Sequence, residues 1–167
     1  FFDANIINYI PSSSSTAFLK SSFIKLGTYN TRLRTGQDLD LWIRFALKHK
    51  VVFNPTITMV YNNYDDSSLS KSDYNLDRYN YISNFNAEEQ QNPSLKKYLD
   101  VNRYAVALRC KINNEKKLYR TLKGEIDYKN LNIKQKFLIN LPVFGLKLIK
   151  RFQRFLINRK IYVTAFK

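Results

Sequence analysis

After Asp127 the chain carries no acidic residue: residues 128–167 hold ten Lys and Arg, mixed with Leu, Ile and Phe. The basic character is concentrated at this end, and its pattern says what kind of surface it makes. Phe144, Leu148, Phe152 and Leu156 recur every four residues, while Lys147, Lys150, Arg151 and Arg154 fall mostly away from them. That is the pattern of an amphipathic basic helix. Such a helix can lie on an anionic bilayer, bind nucleic acid, or form the solvated surface of a basic protein. Aromatics spaced for base stacking and the glycines of an RNA-binding motif are absent, which makes nucleic acid the weakest of the three and an anionic membrane surface the expected partner.

The whole chain of 167 residues has a formal charge of +15, with 44% hydrophobic and 15% aromatic residues and only four glycines and four prolines. This excludes the disordered and fibrous classes and leaves room for one core of ordinary size, or a small core with a helical extension. No apolar run approaches the roughly 20 residues that span a bilayer, so the chain is expected to lie on a membrane without crossing it. Cys110 is the single cysteine and sits in a helical pattern with no partner for a disulfide or a CxxC site, which fits a reducing compartment and a small core residue. The expected location is cytoplasmic, peripheral on the inner face of the cell membrane. The chain opens on Phe1-Phe2 with no signal-peptide pattern after it, and the start reads as a cut end.

Residues 6–62 read as mixed α/β. An extended Ile6 to Ile10 precedes the polar run Ser12 to Thr16 and a short helix closing at Gly27, where a helix C-cap is expected. A second helical pattern places Leu39, Trp42, Ile43, Ala46 and Leu47 on one face. Val51 to Phe53 and Ile57 to Tyr61, separated by Asn54-Pro55, have strand character. A Ser- and Asp-rich loop over 65–73 then leads into helical sequence, with Asn92-Pro93 as N-cap and first-turn proline, Asn114 as a cap for a further helix, and a last long helix after Leu131, kinked at Pro142.

The densest chemistry lies in Gly36-Gln37-Asp38-Leu39-Asp40-Leu41-Trp42-Ile43-Arg44. An acid in the first turn of a helix faces the positive end of the macrodipole, and a carboxylate in a cleft can take a proton from a sugar hydroxyl. Asp38 also has a structural reading, since Thr35-x-x-Asp38 has the spacing of a capping box. Asp40 reads as a solvated first-turn acid or a second base candidate. Trp42 is a core residue or a stacking surface for a sugar ring, and Arg44 either pairs with Asp40 one turn earlier or holds cleft acids in place. His49, between two lysines at a helix end, reads as a solvated residue compensating the dipole.

The segment from Gly27-Thr28-Tyr29-Asn30 through Gly36 to Arg44 resembles family 2 glycosyltransferases, with their Gly-aromatic turn followed by Glu-Asp-x-x-Leu-Trp-x-Arg. The resemblance covers residues 6–68. It implies an α/β fold: the C-terminal, acceptor-side part of a GT-A type, Rossmann-like sheet in residues 1–68, then a helical extension over 69–127 and the basic amphipathic tail over 128–167. The activity it implies is inverting transfer of a sugar from a nucleotide-sugar donor to a hydroxyl acceptor, such as a sugar or a lipid-linked glycan. Asp38 would be the general base, Asp40 the second candidate, and Gln37, Trp42 and Arg44 would bind substrate.

A divalent metal, Mg2+ or Mn2+, is also implied, but the family's Asp-x-Asp ligand motif does not occur before this segment, and no metal ligand is assigned. The donor site is expected to lie mostly outside these residues. The chain departs from the family pattern in having Gln37 in place of Glu, and Asn62-Asn63 where a basic or His residue often follows the second strand. The competing class is a non-enzymatic basic module that binds peripheral membranes or anionic polymers.

Overall fold

The computed structural model describes residues 1–6, 12–59, 72–159, 161 and 163–165. These residues form helices and 3-10 turns joined by irregular segments, and no strand occurs among them. The expected α/β sheet is therefore wrong. The segment from Val51 to Met59 has β-branched residues but no ladder, and Val52 and Ile57 are 91% and 90% exposed. Strand propensity expresses itself only where a neighbouring backbone pairs and a core receives the side chains, and among the described residues neither is present for this segment. At Ser12 to Thr16 local bonding wins instead: the Ser12 hydroxyl accepts from the Ser14 amide at 3.2 Å and the Thr16 hydroxyl donates to the Ser12 carbonyl at 2.7 Å, around a 3-10 turn over Ser13–Ser15. Short hydroxyl side chains offer the backbone this alternative to a ladder. Most of the expected Ile6 to Ile10 strand, with Val60 and Tyr61, lies outside the described residues.

The chain divides into two compact units, Phe1–Asn86 and Ala87–Lys167. The first contains α1 (Lys20–Lys25), α2 (Gln37–Lys48) and α3 (Asn75–Ser83). Helix α1 ends at Gly27 as expected. With φ at 90° this glycine adopts the left-handed conformation, and the Thr28 and Gly27 amides donate to the Phe23 and Ile24 carbonyls at 3.1 Å each. That pair of hydrogen bonds is a Schellman closure, which satisfies carbonyls the helix itself leaves open.

Burial on α2 does not follow a single stripe. Asp40, Leu41, Trp42 and Ile43 are buried in succession, while Leu39, Ala46 and Leu47 are half-buried. The helix is covered from more than one side, by α3 and by an aromatic chain. In that chain Tyr29 meets Phe23 edge-on, Phe23 stacks on Phe18 at 5.1 Å, and Phe18 meets Trp42 at 6.0 Å and Phe45 at 5.2 Å.

The second unit contains α4 (Glu88–Gln91), α5 (Pro93–Ile112), α6 (Lys116–Glu125), α7 (Ile133–Asn140) and α8 (Val143–Asn158). Its axis is α5, started as expected by Asn92, whose side chain accepts from the Leu95 amide at 3.0 Å, and by Pro93. Leu95, Leu99, Ala107 and Cys110 lie fully buried along it. Asn114 does not cap α6. It sits at φ 64° and closes α5, with the following Glu115 amide donating to the Cys110 carbonyl at 2.8 Å. The expected long helix after Leu131 is two helices, because Pro142 breaks it outright and becomes the N-cap of α8. The first of them, α7, starts on a reciprocal capping box between Asn132 and Gln135.

A buried ionic cluster ties this unit together. Arg103, 1% exposed, binds both Glu89 oxygens at 2.8 and 3.0 Å, Asp100 at 3.1 Å and Glu125 at 3.3 Å. Lys96 adds a contact to Asp100 at 2.6 Å, and the other Asp100 oxygen accepts from the Asp127 amide and the Asn130 side chain. Burial opposes the charge on Arg103, but Glu89, Asp100 and Glu125 outweigh it and hold the guanidinium above its ordinary value.

Candidate functional site

The candidate residues all belong to α2 and its entry. Gly36 is the N-cap, with φ at 83°, and no side chain caps the helix. A Cβ at this position would run into the Tyr81 ring of α3, so both the backbone conformation and the space require glycine. The cap lies one residue later than the Thr35 box predicts, and the capping role considered for Asp38 is not realised. Just ahead, the Arg34 amide donates to Asp77 of α3 at 2.9 Å, while the Arg34 guanidinium lies over the Tyr74 ring at 5.5 Å. These contacts fix the entry to the helix.

The two acids of the first turn have different surroundings. Asp40 is buried and fully engaged. Arg44 Nε and Nη2 converge on its Oδ2 at 2.9 and 2.8 Å, and the Asn84 side chain donates to Oδ1 at 3.3 Å. The same Arg44 donates from Nη1 to the Leu26 carbonyl at 2.5 Å and from Nη2 to the Thr28 carbonyl at 2.6 Å. Arg44 thus caps the C-terminal end of α1, where a cation is favoured, while Asp40 holds it in place. Asp38 is half-buried, and one of its oxygens accepts from the Leu39 amide at 2.9 Å. That is its only protein hydrogen bond among the described residues.

Two buried polar atoms nearby have no hydrogen-bond partner among the described residues: Gln37 Oε1, next to Asp38, and Trp42 Nε1, one turn on. Buried polar groups are nearly always satisfied, so these two atoms are exceptions to the rule. Trp42 is 4% exposed against Phe18, and its face is not open to a sugar ring as the chain stands. His49 is exposed beyond the end of α2 and packs on Phe45 at 5.6 Å.

No group of three or more His, Cys, Asp or Glu able to hold a metal occurs among the described residues. The acid nearest in sequence to Asp38 is already bound by Arg44 and Asn84, so these residues do not make a divalent-metal centre. Cys110 is not a reactive thiol, because burial, seconded by Glu115, pushes it up to about 12. No helix among the described residues is long and apolar enough to cross a membrane.

Sequence reasoning paired Asp40 with Arg44 but missed Asn84, Tyr81 and the two α1 carbonyls. The Asn84 contact spans 44 positions and leaves no local mark. The carbonyl contacts had a visible precursor in Gly27, which announces a helix end needing partners. No protein-family model, no curated protein and no solved structure matches this chain.

Proposed function

We propose that this chain supplies the acceptor-side base of a glycosyltransferase, in which a sugar passes from a nucleotide donor to a hydroxyl acceptor with inversion. Asp38 takes the hydroxyl proton as the oxygen bonds to the anomeric carbon and the bond to the diphosphate breaks. The observation that carries this reading is the division between the two acids of α2: Asp40 is bound by Arg44 and Asn84, whereas Asp38 receives one amide hydrogen bond. A carboxylate with an uncommitted oxygen at a helix start can accept a proton, and one saturated by a guanidinium cannot do so without breaking the structure.

Gln37, one residue before the base, is the other side chain of this turn assigned to the acceptor sugar, and its buried Oε1 has no hydrogen-bond partner among the described residues. Arg44 acts as a positioning residue, since its Nε, Nη1 and Nη2 are all engaged within the protein. The reading depends on the Gly36 to Arg44 segment and on no sheet, and it routes no step through a metal held by these residues.

The test is acceptor-dependent release of nucleoside diphosphate from a panel of nucleotide sugars, measured on the complete polypeptide that carries residues 1–167. The reading expects release that requires both a donor sugar and a hydroxyl acceptor. No release across the panel leaves the competing class, a non-enzymatic basic module.

A further inference from the structure

We infer that α8 lies in the plane of an anionic bilayer, with Phe144, Leu148, Phe152 and Phe155 in the lipid interface. The inference rests on none of the catalytic reading. Amphipathic helices in globular proteins turn their apolar face inward, and α8 does the opposite. Leu146 alone is buried on this helix, while Phe144 and Phe152 are 78% and 60% exposed and Leu148, Ile149 and Phe155 are exposed beside them. At 100° per residue Phe144, Leu148, Ile149, Phe152 and Phe155 occupy an arc of roughly 140° and the cations Lys147, Lys150, Arg151 and Arg154 a separate arc of roughly 100°, while the exposed Val143 and Ile157 at the two ends of the helix fall outside the apolar arc. Phe152 and Phe155 stack at 6.5 Å, and Arg159 lies over the Phe155 ring at 4.4 Å, so the apolar face is itself edged by positive charge.

Charge decides the occupant. The 40 residues from Tyr128 on contain ten cations and no acid, so a second copy of this chain would bring like charge against like charge. An anionic bilayer meets both demands: headgroups for the cations, whose long stems let them reach outward, and an acyl boundary for the aromatic rings. Spanning is excluded by size, because 16 residues make a helix of about 24 Å against a hydrocarbon core of about 30 Å. In α7, Ile133 and Phe137 are exposed one turn apart with Lys134 and Lys136 between them in sequence, which gives the same segment a second apolar and basic surface.

The experiment is co-sedimentation of the full chain with vesicles of phosphatidylcholine alone and of phosphatidylcholine containing phosphatidylserine. Binding is expected to the phosphatidylserine vesicles at low salt. Raising ionic strength to about 1 M, where the Debye length is about 3 Å, should release most of it, and phosphatidylcholine alone should bind poorly. Phe152→Glu should weaken binding by about tenfold or more even at low salt, and joint replacement of Lys147, Arg151 and Arg154 by Gln should do the same. Both sets of side chains are exposed, so circular dichroism should find both variants as helical as the parent. Equal binding to neutral vesicles, no binding to anionic ones, or binding unchanged by Phe152→Glu would overturn the inference. So would an apolar face covered by self-association in light scattering, or tighter binding to single-stranded RNA than to the anionic vesicles.

Discussion

Arg44 and Asp40 form one unit across a turn of α2, with Nε and Nη2 of the guanidinium meeting a single carboxylate oxygen at 2.9 and 2.8 Å. What gives the pair its weight is the other end of Arg44, which closes the carbonyl end of α1 through Leu26 and Thr28. Removing the carboxylate leaves a partly buried guanidinium unneutralised and frees the Asn84 side chain. Asp40→Ala is therefore expected to destabilise the fold by about 2 kcal/mol, as for a hydrogen-bonded charge left without its partner. Asp38→Asn should stay within about 0.5 kcal/mol. Urea denaturation of the two variants checks the contrast, and equal losses would mean that Asp38 is also structural.

Gly36 supplies a second check on the same helix start. Gly36→Ala combines a left-handed backbone with a Cβ that meets the Tyr81 ring at 2.8 Å from Cε1. A loss of about 2 kcal/mol is expected. Shortening the obstacle with Tyr81→Ala in the Gly36→Ala background should give a double loss smaller than the sum of the single ones. Strict additivity would show that Tyr81 does not constrain the glycine.

How far this arrangement was legible in the sequence depended on the range of each interaction. The Gly27 closure, the Asn92-Pro93 start and the basic pattern of α8 are written in neighbouring residues and could be read there. Strands were misread because Val51 to Phe53 and Ile57 to Met59 have strand propensity without a pairing partner among the described residues, and propensity alone does not make a sheet. The Asn84 to Asp40 contact, the Tyr81 ring over Gly36 and the Arg103 cluster join distant positions, which no local spacing encodes. The Arg44 to Asp40 pair was visible as an i to i+4 spacing, but not its grip on α1.

In the second unit the Arg103 cluster sets the largest expected loss. Arg103→Ala leaves Glu89 and Asp100 buried, with Glu125 beside them and, among the described residues, Lys96 as the cation still paired with Glu89 and Asp100. Breaking a buried ion pair from one side costs about 3–5 kcal/mol. Arg103→Met with Glu89→Leu should recover part of the loss by removing a carboxylate together with its partner. Denaturation midpoints of the two variants measure this, and a loss under about 1 kcal/mol for Arg103→Ala would contradict a stabilising role for the cluster.

Alkaline pH should weaken the second unit through Cys110 and Tyr104. Burial raises Cys110 from 9.0 to about 12 and Tyr104 from 10.0 to about 12, so both stay protonated in the fold after they have ionised in the unfolded chain. Between those values the unfolded state binds fewer protons, and stability falls as pH rises. Their contribution is complete below the unfolded values and is lost as pH climbs towards about 12. Urea midpoints taken between about pH 8 and pH 11 should fall, with a shallower slope in Cys110→Ala and in Tyr104→Phe. Parallel slopes in the parent and both variants would assign the loss to other groups.

The most direct test of the proposed chemistry is the turnover number of Asp38→Asn beside that of Asp40→Asn, measured with saturating donor and acceptor on the complete polypeptide. Asp38→Asn keeps the size of the side chain and its acceptor oxygen for the Leu39 amide but cannot take a proton. Its kcat should fall by about 10²-fold or more with KM and stability little changed, the usual worth of a general base. Asp40→Asn should act mainly through stability, because it disturbs the grip of Arg44 on α1. Normal kcat in Asp38→Asn, with activity abolished in a folded Asp40→Asn, would contradict the assignment and move the base to Asp40.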